Sequence, residues 1–185
     1  MALETPPGEL GATAPDFRLP DSEGRYWTLA DCRGPRGTLV MFICNHCPYV
    51  KSALDRIIRD ARELLTLGVT SVALMPNDTT AYPDDAPEHM GRLARTRDFP
   101  FPYLYDEAQA VARAYGAVCT PDFFGYDADL KLRYRGRLDA GTPRNVPPPG
   151  APRELFQAMQ SVAETRSAPE PQRPSMGCSI KWRAS

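Results

Sequence analysis

Thr38-Leu39-Val40-Met41-Phe42-Ile43 is a continuous apolar run that stops at Cys44-Asn45-His46-Cys47-Pro48. Its β-branched and aromatic side chains suit a strand covered on both faces, so the chain must build a sheet around it. Past Pro48 the period becomes helical, with Leu54, Ile57, Ile58, Ala61, Leu64 and Leu65 on one stripe of a helix over Lys51 to Thr66. The two cysteines thus stand where a strand hands over to a helix. Unpaired N–H groups and about half a positive charge at a helix N-terminus favour thiolate, the form that attacks disulfides and peroxides.

A formal net charge of -1 over 185 residues offers no electrostatic case for nucleic acid or an anionic membrane surface. No stretch approaches the roughly 18 apolar residues of a membrane span, and Met1 to Pro15 lacks a basic start followed by an apolar run of about 7 to 15 residues. The expectation is a cytoplasmic chain with one domain over residues 1–164 and a linker and C-terminal tail over 165–185. Five cysteines is an odd count, better read in a reducing compartment as redox, catalytic or metal residues than as a disulfide scaffold. The 20 prolines cluster in residues 1–20, 143–152 and 169–174, which marks loops and tails.

Ala14 to Leu29 alternates apolar and polar residues around Asp21-Ser22-Glu23-Gly24, the pattern of a small β-hairpin. Cys32 follows in a polar turn as a bystander thiol. Gly68 closes the long helix, and Val69 to Met75 is a second strand, which makes a right-handed βαβ unit. The loop from Pro76 to Pro83 leaves the same sheet edge as Cys44, so Asn77, Asp78 and Thr79 either border the site or are simply solvated. Asp85-Ala86-Pro87-Glu88 reads as a capping box opening a helix to Arg97, with His89 a surface or packing residue on it. Asp106 to Gln109 opens another helix that Gly116 closes.

Ala117 to Tyr126 and the strictly alternating Leu130 to Arg135 read as a hairpin around Asp127-Ala128-Asp129. Pro152 to Val162 is a last amphipathic helix. The linker from Thr165 to Pro174, extended at about 3.1 Å per residue, spans on the order of 30 Å. Met176, Ile180 and Trp182 then give the tail apolar anchors, so it is expected to dock and stay ordered. Cys178 is a third redox thiol if the tail docks beside the cysteine pair, and a packing residue if it docks elsewhere.

The element order, with Cys-x-x-Cys at the first strand-to-helix junction, resembles the thioredoxin fold: α/β, a mixed central sheet flanked by helices, with an N-terminal β-hairpin and a C-terminal tail. That resemblance places a cis proline, packed against the cysteine pair, at Thr120-Pro121. Ala14 to Leu19, Cys44 to Pro48, Tyr115 to Phe124 and Gly177 to Trp182 resemble the peroxiredoxin-like branch, relatives of the alkyl hydroperoxide reductase and thiol-specific antioxidant family. No second Cys-x-x-Cys or His pair provides the ligands of a structural zinc site, so neither metal nor cofactor is expected.

The resemblance leaves the attacking thiol open. Thioredoxins attack with the first cysteine, here Cys44. Peroxiredoxins attack with the cysteine directly before a proline, here Cys47, and a proline at N1 would make Cys47 the N-cap. The peroxiredoxin pattern also places a Thr three residues before that cysteine and a Pro seven before it, where this chain has Cys44 and Val40. Thioredoxins bury a carboxylate on the strand, where this chain has Met41. His46 either favours thiolate at Cys44 or is a spectator. Candidate site residues are therefore Cys44, Cys47 and Pro121, with His46, Thr120, Cys119 and Cys178 as further candidates. The expected function is thiol–disulfide oxidoreduction through a Cys44-Cys47 pair, acting on a protein or small-molecule disulfide or peroxide with a thiol electron donor. The alternatives are a thiol peroxidase using Cys47 and, third, a Cu(I)-binding module.

Overall fold

The computed structural model describes residues 1–184. In chain order its elements are β1 (Ala2–Glu4), β2 (Arg18–Pro20), β3 (Tyr26–Thr28), α1 (Leu29–Cys32), β4 (Gly37–Phe42), α2 (Pro48–Thr66) and β5 (Val69–Met75). After a 3-10 turn at Pro83–Asp85 come α3 (Pro87–Thr96), β6 (Tyr103–Tyr105), α4 (Ala110–Tyr115), β7 (Cys119–Thr120), β8 (Asp122–Asp127), β9 (Leu132–Tyr134), α5 (Glu154–Thr165) and β10 (Met176–Ser179).

Every residue of β4 is buried, because it is the middle strand of a sheet ordered β6-β5-β4-β8-β9. It pairs in parallel with β5 and antiparallel with β8. Successive side chains point to opposite faces. Leu39, Met41 and Ile43 meet Ala53 and Ile57 of α2 and Leu155, Met159 and Val162 of α5. Val40 and Phe42 meet Leu29, Tyr115 and Phe124 on the other face. This is the mixed α/β architecture of a thioredoxin-like fold. The hairpin of β2 and β3 forms with the register Leu19 opposite Trp27.

Local boundaries move for identifiable reasons. Helix α2 begins at Pro48, earlier than Lys51, because proline at the first helical position has the right φ and no N–H to leave unpaired. Gly68, at φ +82, turns the chain out of that helix just after its cap residue Leu67. The run from Ala117 to Tyr126 splits into β7 and β8 at a cis Thr120-Pro121 bond. The capping box at Asp85 is not formed: Ala86 is the N-cap of α3, with no side-chain cap, and Asp85 turns its carboxylate inward. Helix α4 starts at Ala110, with the Asp106 carboxylate still accepting the Ala112 amide at 2.8 Å.

Residues after α5 return across the domain and end in β10, the centre of a second sheet ordered β1-β10-β7. Ile180 is buried, and the Arg113 guanidinium lies 4.3 Å over the Trp182 ring. Among the described residues no helix is long and apolar enough to cross a membrane.

Candidate active site

Strand β4 delivers the chain at the sheet edge where the cis Thr120-Pro121 loop arrives between β7 and β8. Cys47 is the N-cap of α2 and Pro48 its first residue. Both cysteine sulfurs are held by one residue: Cys44 Sγ lies 3.3 Å from the Thr120 hydroxyl, and Cys47 Sγ 3.2 Å from the Thr120 carbonyl. Cys44 and Cys47 are 1% and 0% exposed. The β10 register sets Cys178 opposite Thr120, and its sulfur lies 2.9 Å from Cys47 Sγ.

The tail has thus docked on the cysteine pair. Cys44, Cys47, Thr120, Pro121 and Cys178 converge, while the Cys119 thiol is directed to the Pro121 carbonyl at 3.6 Å. Burial pushes the Cys119 thiol well up, and burial followed by the Asp31 charge pushes Cys32 up to about 12.

The site separates its two central thiols electrostatically. The neighbouring Cys44 thiol holds Cys47 below the ordinary thiol range, against burial, with Cys178 and the Val50 amide of the first helical turn adding to the effect. Cys44 is pushed up by the neighbouring Cys47, by burial and by the Asp85 charge. Cys47 is therefore the more acidic thiol of the pair and Cys44 the less acidic.

Asp85 is the residue that sequence reasoning missed. It is fully buried and accepts hydrogen bonds from the amides of Asn45 at 2.8 Å and His46 at 3.3 Å, from His46 Nδ1 at 2.6 Å and from Asn77 Nδ2 at 2.9 Å. Three donors of the Cys-Asn-His-Cys turn, joined by Asn77, converge on one carboxylate. His46 is committed to that carboxylate and stacks on Tyr82, ring centroids 5.3 Å apart, with no hydrogen bond to either sulfur. Asn77 is buried here and not solvated, and its Oδ1 accepts the Lys181 amide of the tail at 2.9 Å. The Tyr103 hydroxyl, kept protonated by burial, donates to Asn45 Oδ1 at 2.9 Å. The only signal in the sequence for Asp85 was an acidic pair before Ala-Pro, which a capping box explained equally well.

Cys44, His46 and Asp85 bring ligand atoms within 4.8 Å of one another. Asp85 and His46 already bond each other, so a cation would have to displace an existing contact. Beside the turn an open groove is lined by His46, Lys51, His89 and Arg92, among others.

A family model described as AhpC/TSA family matches residues 10–135, more than half of the chain. The chain belongs to the AhpC/TSA family. Its AhpC/TSA match ends before the tail, so β10 and Cys178 lie outside it. A crystal structure titled as an uncharacterized conserved protein from Geobacillus kaustophilus is 45% identical, with a TM-score of 0.94 over 100% of this chain and 98% of that one. A Mycobacterium tuberculosis protein named "Putative peroxiredoxin Rv2521" is 31% identical over 117 residues, 62% of this chain and 68% of that protein. The thiol-disulfide oxidoreductase ResA of Geobacillus thermodenitrificans is 28% identical over 131 residues, 67% of each chain. At family level, this AhpC/TSA chain is a thiol-based oxidoreductase of the thioredoxin superfamily.

Proposed function

We propose that the chain is a thiol–disulfide oxidoreductase that cycles Cys44 and Cys47 between dithiol and disulfide. What carries this reading is the shared anchor at the cis-proline loop, where Cys44 Sγ meets the Thr120 hydroxyl and the Cys47 thiol donates to the Thr120 carbonyl, with Cys47 the more acidic of the two. The Cys47 thiolate attacks one sulfur of a substrate disulfide, forming a mixed disulfide and releasing the first substrate thiolate. Cys44 then loses its proton and attacks Cys47 Sγ. The Cys44–Cys47 bond forms, the mixed disulfide breaks, and the second substrate thiolate leaves. Asp85, whose charge acts on Cys44, is the nearby carboxylate able to accept that proton. It does so from the loop before α3, since the strand position occupied by a carboxylate in thioredoxins is Met41. A thiol donor restores the dithiol.

A second reading is favoured by one specific observation: Cys47 stands directly before Pro48 as a depressed-pKa N-cap, which suits a thiol peroxidase. One purified, metal-stripped sample assayed with insulin and with hydrogen peroxide separates the two. Insulin reduction is the expected result, together with a mixed disulfide trapped on Cys47 when Cys44 and Cys178 are both replaced by serine. Rapid peroxide consumption without insulin reduction, with a sulfenic acid on Cys47 in that variant, would favour the peroxidase.

A further inference from the structure

Cys44 and Cys47 are almost fully buried, so a disulfide between them is reached from solvent less readily than one that includes the half-buried Cys178. Its sulfur lies 2.9 Å from Cys47 Sγ.

The contact is built into the fold. Strand β10 is held to β7 by register and to the cis loop by Ser175 Oγ, which donates to the Pro121 carbonyl at 2.8 Å. A β-carbon at Gly177 would collide with the Thr120 carbonyl oxygen, so glycine is what lets the strand approach this closely. On the far side the Asp78 amide donates to the Lys181 carbonyl at 2.9 Å, and Gln109 Nε2 donates to the same oxygen at 2.9 Å. Cys47 bonds Cys178 and shares the Thr120 anchor with Cys44, whereas Cys44 and Cys178 share no hydrogen bond. Cys47 is therefore the middle sulfur of three.

We infer that Cys178 is a relay thiol: it exchanges with the Cys44–Cys47 disulfide and carries the oxidised bond to the surface as Cys47–Cys178, where an external thiol reduces it. This rests on the dithiol reading above. In the exchange the Cys178 thiolate attacks Cys47 Sγ, the Cys47–Cys178 bond forms and the Cys44–Cys47 bond breaks. The electron pair leaves on Cys44, which takes up the proton that Cys178 gave up, so the step involves no net oxidation. An external thiol then attacks Cys178 Sγ and releases the Cys47 thiolate. A second external thiol breaks the resulting mixed disulfide, restoring the Cys178 thiol, and the two donors leave as a disulfide.

The electrostatics follow the cycle. In the reduced protein Cys178 is pushed up by burial, by its bond to Cys47 and by the Cys47 charge, while Lys181 acts in the opposite direction. Once Cys47 is in a disulfide, its charge is gone and the nearby Lys181 charge favours thiolate at Cys178.

The test is disulfide mapping of the full chain and of Cys44→Ser and Cys178→Ser, oxidised with diamide, quenched in acid, alkylated and digested. The relay predicts two bridges in the unmodified chain, Cys44–Cys47 and Cys47–Cys178, and a Cys47–Cys178 bridge in most molecules of Cys44→Ser. It also predicts that Cys178→Ser, locked in the buried bridge, is re-reduced by a cysteine-containing peptide more slowly, on the order of tenfold. A Cys44–Cys47 bridge with Cys178 always alkylated as a free thiol would overturn the relay and leave the dithiol reading standing. A Cys47–Cys178 bridge with no Cys44–Cys47 bridge in any chain would overturn both. Because the unmodified chain alone distinguishes these outcomes, the result does not depend on either variant folding.

Discussion

Cys47 sits where helix α2, the cis-proline loop and β10 meet, and its thiolate is favoured by Cys44, by Cys178 on β10 and by the first turn of α2. Its thiolate is expected to titrate below the ordinary thiol value of 9.0, with the other four thiols above it. Ultraviolet titration of the reduced protein should therefore show one early thiolate. Cys44→Ala removes the neighbour that lowers the Cys47 pKa most and should move that transition upward; an unchanged midpoint would contradict the assigned cause. The sign for stability follows from the depressed pKa. The Cys47 thiolate contributes stability that is complete above 9.0 and is lost as pH falls through its folded-state value. Asp85→Asn keeps the size of the side chain and removes the base. The resolving step by Cys44 should slow by about 100-fold, with the mixed disulfide on Cys47 accumulating in rapid-quench samples. Unchanged partition between mixed and internal disulfide would exclude Asp85 from proton transfer.

At the scale of elements, β10 depends on the absence of a side chain at Gly177. Gly177→Ala should push the strand off the Thr120 carbonyl, destabilise the protein by roughly 1–3 kcal/mol and weaken the Cys47–Cys178 contact, read as a lower yield of that bridge. Full retention of both stability and bridge would show that the strand has room to move. Elements written in contiguous patterns were legible in the chain: β4 as an apolar run, α2 as a stripe, and Thr120-Pro121 by family resemblance. What escaped reading was set by distant partners. Asp85 meets Asn45 across 40 positions and Cys178 meets Cys47 across 131. A carboxylate before Ala-Pro carries the same local signature whether it caps a helix or turns inward, and only the packed loop decides.

At the scale of the whole molecule, a family core and a tail outside the family match close over one site. Residues 175–184 bury Ile180 and cover the cysteine pair, so deleting 175–185 should lower stability by about 2 kcal/mol or more and expose Cys47 to bulky thiol reagents. Denaturant melts and timed alkylation would read these two effects separately. Tail docking was legible from Ile180, which is buried, whereas Met176 and Trp182, expected to anchor the tail as well, remain exposed. The docking position was not legible, because the linker's reach allowed many faces. The central claim is that Cys44 and Cys47 form a two-electron couple, and a redox titration of Cys178→Ser with thiol counting and peptide mapping tests it most directly. The account predicts one two-electron transition in which two thiols disappear together and the bridge maps to Cys44 and Cys47. Both cysteines remaining reduced in buffers that fully oxidise a control dithiol would contradict it.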